Sequence, residues 1–170
     1  ARWEKRYIHK NGTHVWVAVS TFLHRNDAGE PLFFITDMID ITQRKAVEEK
    51  LKDSEEKFML AFKLSSQAIL ITRLTDGLIH DANEAFTAIT GYRVDEAIGR
   101  TTLNLNLWLS EDDREKVINL IVLGEKVKDL QMNFRGKNGQ IIHAIFSAEH
   151  IKIGNQDYVL SNIKDITQHI

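Results

Sequence analysis

Lys10-Asn11-Gly12 recurs as Lys137-Asn138-Gly139, and Asp40-Ile41-Thr42-Gln43 recurs as Asp165-Ile166-Thr167-Gln168. Two anchors in the same order at nearly the same spacing mark an internal repeat, and a repeat constrains the fold before any single residue does. Between the anchors the copies read alike. Each has a β-rich run ending at a serine (Val15 to Ser20; Ile142 to Ser147). A turn (Asn26 to Gly29; Gly154 to Asp157) and a last hydrophobic run (Phe33 to Ile39; Tyr158 to Ile163) come next. Asn-Gly between such runs signals a hairpin, with a type I′ turn expected because both of its central positions need positive φ. Each copy is therefore a three-stranded antiparallel meander.

Upstream of the second meander lie two further strand patterns and several helical ones, whereas the first copy begins directly at its first strand. The first unit thus reads as the C-terminal half of a domain, residues 1–42, and the second as a complete domain, residues 66–170. The stretch between them, 43–65, lacks Gly and Pro and is rich in Glu, Lys, Ala and Leu, which predicts a linker helix from Thr42 to about Ser65. Val47, Leu51, Phe58, Ala61 and Ser65 fall near a heptad seam with Ser54 as a polar break. Two readings stay open: a solvated helix packed on its own domain, or a parallel coiled coil between two protomers. The first meander alternates Val15, Val17 and Val19 with Trp16 and Ala18, so the linker helix, the second unit or another chain is expected to cover its apolar face.

In the second unit, Ala68 to Arg73 and Leu78 to Ala82 read as a hairpin around Thr75-Asp76-Gly77. Asn83 is placed to cap a helix over Glu84 to Thr90, closed by Gly91. A short helix over Val94 to Ile98 comes after it, and Ser110 caps a longer one that turns Val117, Ile118 and Ile121 inward. In the next strand, Leu130, Met132 and Phe134 alternate, which asks for one buried face. The expected fold class is α+β. A five-stranded antiparallel sheet is covered by helices on one face, and a three-stranded half-meander and a linker helix precede it.

These residues also carry a resemblance. Asn83-Glu84-Ala85-Phe86-Thr87-Ala88-Ile89-Thr90-Gly91-Tyr92, Ala97-Ile98-Gly99-Arg100, Lys137-Asn138-Gly139 and Asp165-Ile166-Thr167 resemble the motifs of PAS domains, as repeated in bacterial sensor histidine kinases of two-component systems and in diguanylate cyclases. The likeness covers residues 55–168, and its last two motifs recur within residues 1–43. It implies a module that senses a small molecule, light or redox state, or relays dimerisation, with output leaving through the terminal strand into the next helix. It also implies a signal-exit motif at Asp40 and Thr42 and again at Asp165 and Thr167. The family pairs its aspartate with a basic residue of the preceding hairpin: here Asp165 with Arg135 or Lys137, and Asp40 with Arg6 or Lys10. The alternative is a plain surface ion pair contributing about 0–1 kcal/mol.

The ligand side is narrower. The chain has no cysteine, which removes disulfides, thiolate chemistry and the flavin–cysteine adduct. Residues 110–124 contain no histidine, so the family's usual haem ligand is missing. His80, His143 and His150 read as structural strand histidines, and His9 with His14 makes a poor metal pair, so no metal is expected. Non-covalent flavin or a small metabolite stays open. The cavity candidates are Ile69, Ile71, Phe86, Ile89, Trp108, Ile118, Ile121, Met132, Phe134 and Ser147; as plain core residues they would pack a filled, ligand-free dimerisation scaffold. A net charge of −2 without a basic stripe argues against nucleic acid, and no apolar run reaches the roughly 18 residues that span a bilayer. No nucleophile–base pair or phosphate loop argues for catalysis. The expected protein is a cytoplasmic homodimer joined through linker helix and PAS surfaces. The segment makes no direct membrane contact, the parent protein could be membrane-anchored, and the effector lies elsewhere in the same chain.

Overall fold

The computed structural model describes residues 1–169. The chain divides into two units, one spanning Ala1–Phe58 and one running from Met59 onward.

In the first unit, β1 (Arg2–Ile8), β2 (His14–Arg25) and β3 (Pro31–Asp40) form a three-stranded antiparallel sheet in that order. Helix α1 (Thr42–Leu64) begins at once and passes into the second unit. The hairpin at Asn11-Gly12 differs from the expected type I′ turn: only Gly12 takes a positive φ, +86°, and its N–H donates to the His9 carbonyl at 2.8 Å. The same turn recurs at Gly29, donating to Asn26, and at Gly139, donating to Gly136. In each, glycine comes after a right-handed turn, the arrangement of a three-residue hairpin loop. An ordinary residue occupies the turn itself, and only the left-handed position after it requires glycine.

Val17, Ala18 and Val19 of the central strand are buried, but β3 is exposed along its length, including Phe33, Phe34, Ile35, Met38 and Ile39. Within the first unit itself, nothing covers β3. On α1, Val47, Leu51 and Phe58 are about 60% exposed, whereas Phe62 is buried.

The second unit holds β4 (Ala68–Arg73), β5 (Ile79–Ala82), α2 (Glu84–Thr90), α3 (Val94–Ala97), α4 (Glu111–Val122), β6 (Val127–Arg135), β7 (Ile141–Ile153) and β8 (Gln156–Asp165). Its sheet runs β5-β4-β8-β7-β6, all neighbours antiparallel. Asn83 and Ser110 cap α2 and α4, accepting from the N–H groups of Phe86 and Asp113, and Gly91 ends α2 at φ +78°. One face of the sheet carries Leu70, Phe134, Ile142, Phe146, Val159 and Ile163, and Phe86, Val117 and Ile121 come down on it from the helices. The alternation predicted for β6 places Met132 and Phe134 on that face.

Candidate functional site

Two places in the molecule bear on function: the helix-covered face of the second sheet, and the two points where a terminal strand turns into the next segment.

On the covered face, Trp108, Phe134 and Phe146 form an aromatic cluster, with Trp108 5.3 Å from Phe134 and 6.0 Å from Phe146 between ring centres, nearly edge-to-face. Trp108 Nε1 donates to Thr102 Oγ1 at 3.1 Å, so the indole's polar edge is satisfied. Beside the cluster lies a cavity of about 30 Å³, lined by Leu70, Thr90, Thr102, Leu107, Trp108, Phe134, Phe146 and Ile163. That space suits about one water, whereas a cofactor pocket spans several hundred Å³. That space beside the aromatic cluster therefore does not fit a flavin or a haem.

Of the nominated cavity residues, Trp108 and Phe134 line this space. Phe86 and Ile121 belong to the buried core, with Ile89, Ile118 and Met132 packed against it. Ile69, Ile71 and Ser147 require correction. The inward residues of β4 are Ala68 and Leu70, and those of β7 are Ala144, Phe146 and Ala148. Alternation then turns Ile69, Ile71 and Ser147 to the opposite face. For Ser147 the sequence held a signal, because its parity matches His143 and Glu149. For β4 it held none, because Ala-Ile-Leu-Ile is apolar on both faces. Ile69 and Ser147 instead line a groove of about 400 Å³ with Leu160, Asn162, Lys128 and Asp129.

The three strand histidines of the second unit have local partners. His143 Nδ1 lies 2.8 Å from Asn133 Oδ1, His150 Nε2 lies 2.8 Å from Asp157 Oδ1, and His80 packs edge-on against Tyr158. Among the described residues no three His, Cys, Asp or Glu side chains gather as metal ligands would.

The strand exits are built twice to one plan. Asp40 Oδ1 accepts from the Thr42 N–H at 2.8 Å, and Asp165 Oδ1 accepts from the Thr167 N–H at 2.8 Å. Thr42 Oγ1 accepts from the Trp16 N–H at 2.9 Å, and Thr167 Oγ1 accepts from the His143 N–H at 3.1 Å. The residue between them donates back across the sheet, Ile41 to the Trp16 carbonyl and Ile166 to the His143 carbonyl, both at 2.8 Å. Aspartate thus fixes the turn, and threonine ties it to the central strand. The Thr42 hydroxyl, with its backbone N–H second, holds the Asp40 carboxyl below its ordinary value of 3.8.

The expected basic partners are not there. Among the described residues no Arg or Lys is ion-paired with Asp40 or Asp165. Lys137 pairs with Glu96, and Arg6, Lys10 and Arg135 form no ion pair within the described residues. Strand geometry is the reason. Asp165 stands opposite Ala144 on β7, while Arg135 stands opposite Ile141 from the far side of β7. Two strand spacings separate them by about 10 Å, and three residues' offset turns Arg135 to the other face. Asp40 and Arg6 are likewise divided by β2, opposite Val17 and Trp16 and so on opposite faces.

Sequence reasoning found the capping role of Asn83 but missed its reach. The side chain is 1% exposed and makes four hydrogen bonds. Oδ1 accepts from the N–H groups of Ile69 at 3.0 Å and Phe86 at 3.3 Å. Nδ2 donates to the carbonyls of Phe62 at 3.0 Å and Gln67 at 2.9 Å.

Comparison with known proteins agrees with this architecture. A family model described as PAS domain matches residues 3–43 and again 66–168. Probable diguanylate cyclase DgcE of Escherichia coli strain K12 is 38% identical over 58 residues, which are 34% of this chain and 5% of that protein. The chain therefore spans a small part of that relative's length. Among solved structures, the PAS domain of a protein from Colwellia psychrerythraea superposes with a TM-score of 0.59 at 25% identity, covering 66% of this chain and 97% of its own. The PAS domain of an HTR-like protein from Haloarcula marismortui gives 0.60 at 21% identity, covering 72% and 99%. A domain of a sensory box sensor histidine kinase/response regulator from Geobacter sulfurreducens gives 0.57 at 21%, covering 68% and 96%.

Proposed function

The chain belongs to the PAS domain family, and on that premise we propose that it is the sensing and relay part of a longer bacterial signalling protein, passing its state through helical linkers to an effector. The family makes it a signal-sensing module. The finer reading is that it takes a small molecule or redox state as its signal and that the effector is a histidine kinase or diguanylate cyclase domain of the same protein. It acts as a cytoplasmic homodimer, joined through α1 and PAS surfaces. No helix among the described residues is long and apolar enough to cross a membrane.

The observation that carries the relay is the duplicated exit. A strand end that is hydrogen-bonded to the next strand and capped by its own aspartate moves with the sheet, and in the first copy it leads straight into α1. The test is a chimera with a cyclase or kinase domain joined after this chain. Replacing Thr42 and Thr167 with Val should change basal output at least threefold while the fold, read by circular dichroism, persists. Unchanged output sinks the relay.

The cavity of about 30 Å³ favours a second reading, a ligand-free dimerisation scaffold with a filled core. A small molecule finds more room in the outer groove of about 400 Å³. Native mass spectrometry separates the two: a bound metabolite supports the sensor, and a ligand-free dimer supports the scaffold.

A further inference from the structure

We infer that Asn83 is the input coupler of the second unit: one carboxamide proton holds the last turn of α1 and the other the connection after it, while its acceptor oxygen holds β4 and α2, so one buried side chain makes the three elements move together. The inference rests on the relay reading and assigns the place where a helix-borne signal enters.

The chemistry of the carboxamide makes the case. Nδ2 has two protons and spends them on two carbonyls, those of Phe62 in α1 and of Gln67 in the connection beyond it. Oδ1 has two lone pairs and accepts from Ile69 at the start of β4 and from Phe86 in α2. Every side-chain hydrogen-bonding site of the residue is used. Its backbone adds a second layer, since Asn83 N–H donates to the Ile69 carbonyl at 3.1 Å and its own carbonyl accepts from Phe86 N–H at 3.1 Å.

A helix cap needs only the oxygen, and Ser, Thr or Asp supply it as well. The two donors are therefore surplus to capping, and both go to the segment that brings the chain in from α1. Because the group is buried, no water can replace a broken bond, and a displaced α1 terminus must either carry Asn83 with it or strand polar groups. The carbonyl that Asn83 holds belongs to Phe62, the buried residue of α1.

The experiment uses the whole 170-residue chain and hydrogen exchange with residue resolution. Asn83→Asp keeps both acceptor bonds and replaces the donors with an oxygen facing two carbonyls. Exchange across residues 62–67 should rise at least tenfold, while α2 and the strands β7 and β8 stay within about threefold. Asn83→Ser caps without added charge and repeats the test should the aspartate disrupt folding. The coupling itself is read by adding Lys63→Gly, which loosens the last turn of α1. With Asn83 present, that change should raise exchange in α2 at least fivefold; in the Asn83→Ser background the transmitted effect should vanish. Equal transmission with and without Asn83, or unchanged exchange over 62–67, overturns the assignment. The relay reading has its own test in the chimera's output, so the two can fail separately.

Discussion

The two meanders share turns and exits yet differ in how their equivalent faces are buried. Aligned on Gly12 with Gly139 and on Asp40 with Asp165, Val15, Val17 and Val19 correspond to Ile142, Ala144 and Phe146, and Phe34 and Met38 correspond to Val159 and Ile163. In the second unit Val159 and Ile163 are 4% and 6% exposed beneath the helices; in the first, Phe34 and Met38 are 70% and 52% exposed. The hydrogen-bonded frame is nevertheless the same in both, down to threonine accepting from the central strand. Turn and exit geometry therefore does not need the helical lid, because both are closed by groups within a few residues or on the adjacent strand. The apolar side chains of the last strand do need it, since hydrophobic stabilisation scales with the area removed from water; on the central strand Val17 and Val19 are buried as Ala144 and Phe146 are.

The comparison breaks most visibly at the core. Phe134→Ala removes a ring packed on Trp108 and Phe146 and should cost the second unit about 3–5 kcal/mol in urea unfolding. A cost under about 1 kcal/mol would mean that the lid is loose and that the two sheets differ less than their burial suggests. At the exits the units should behave alike. Thr42→Val and Thr167→Val each leave a strand N–H without its acceptor, and each should cost about 1 kcal/mol. A large difference between them would show that one exit depends on tertiary support.

Acid sharpens the contrast at smaller effect. Arg73 beside Asp76 holds that carboxyl at about 2, below its ordinary 3.8, and Leu78 N–H adds to the pull. A lowered folded value means that the stabilisation is present above the ordinary value and is lost as pH falls through the folded one. Amide protection at the β4–β5 turn should therefore weaken as pH drops from about 3.8 to about 2, and Asp76→Asn should abolish that dependence. Asp40 has the same sign at the first exit. The smallest effect is expected for Phe34→Ala, where an exposed ring leaves water only slightly: unfolding should shift by no more than about 0.5 kcal/mol. A larger loss would show that another chain covers β3 in solution, and light scattering on the same sample would reveal that partner as a dimer.

Much of this was legible along the chain. Asn83 and Ser110 announce their helices because capping is a matter of three residues, and the repeated Asp-Ile-Thr announces both exits. Illegible were the partners of the exit aspartates, since pairing with Arg135 or Lys137 requires knowing strand order and parity. The facing of Ile69 and Ile71 was equally hidden within an unbroken apolar run. Asn83 was half legible, its oxygen by local spacing and its donors not at all, because Phe62 lies 21 residues away.

The amino-acid order by itself determined the elements that close over short range: three glycine-ended turns, two capped helices, two aspartate-capped strand ends and the helix between the units. Tertiary structure decided which side of each strand meets the helices, how little space is left among Trp108, Phe134 and Phe146, and where the carboxamide of Asn83 reaches. The physical reason is that a turn or cap is satisfied by neighbours in sequence, whereas a strand offers two faces of equal geometry, and only the packing of distant elements makes one of them the inside.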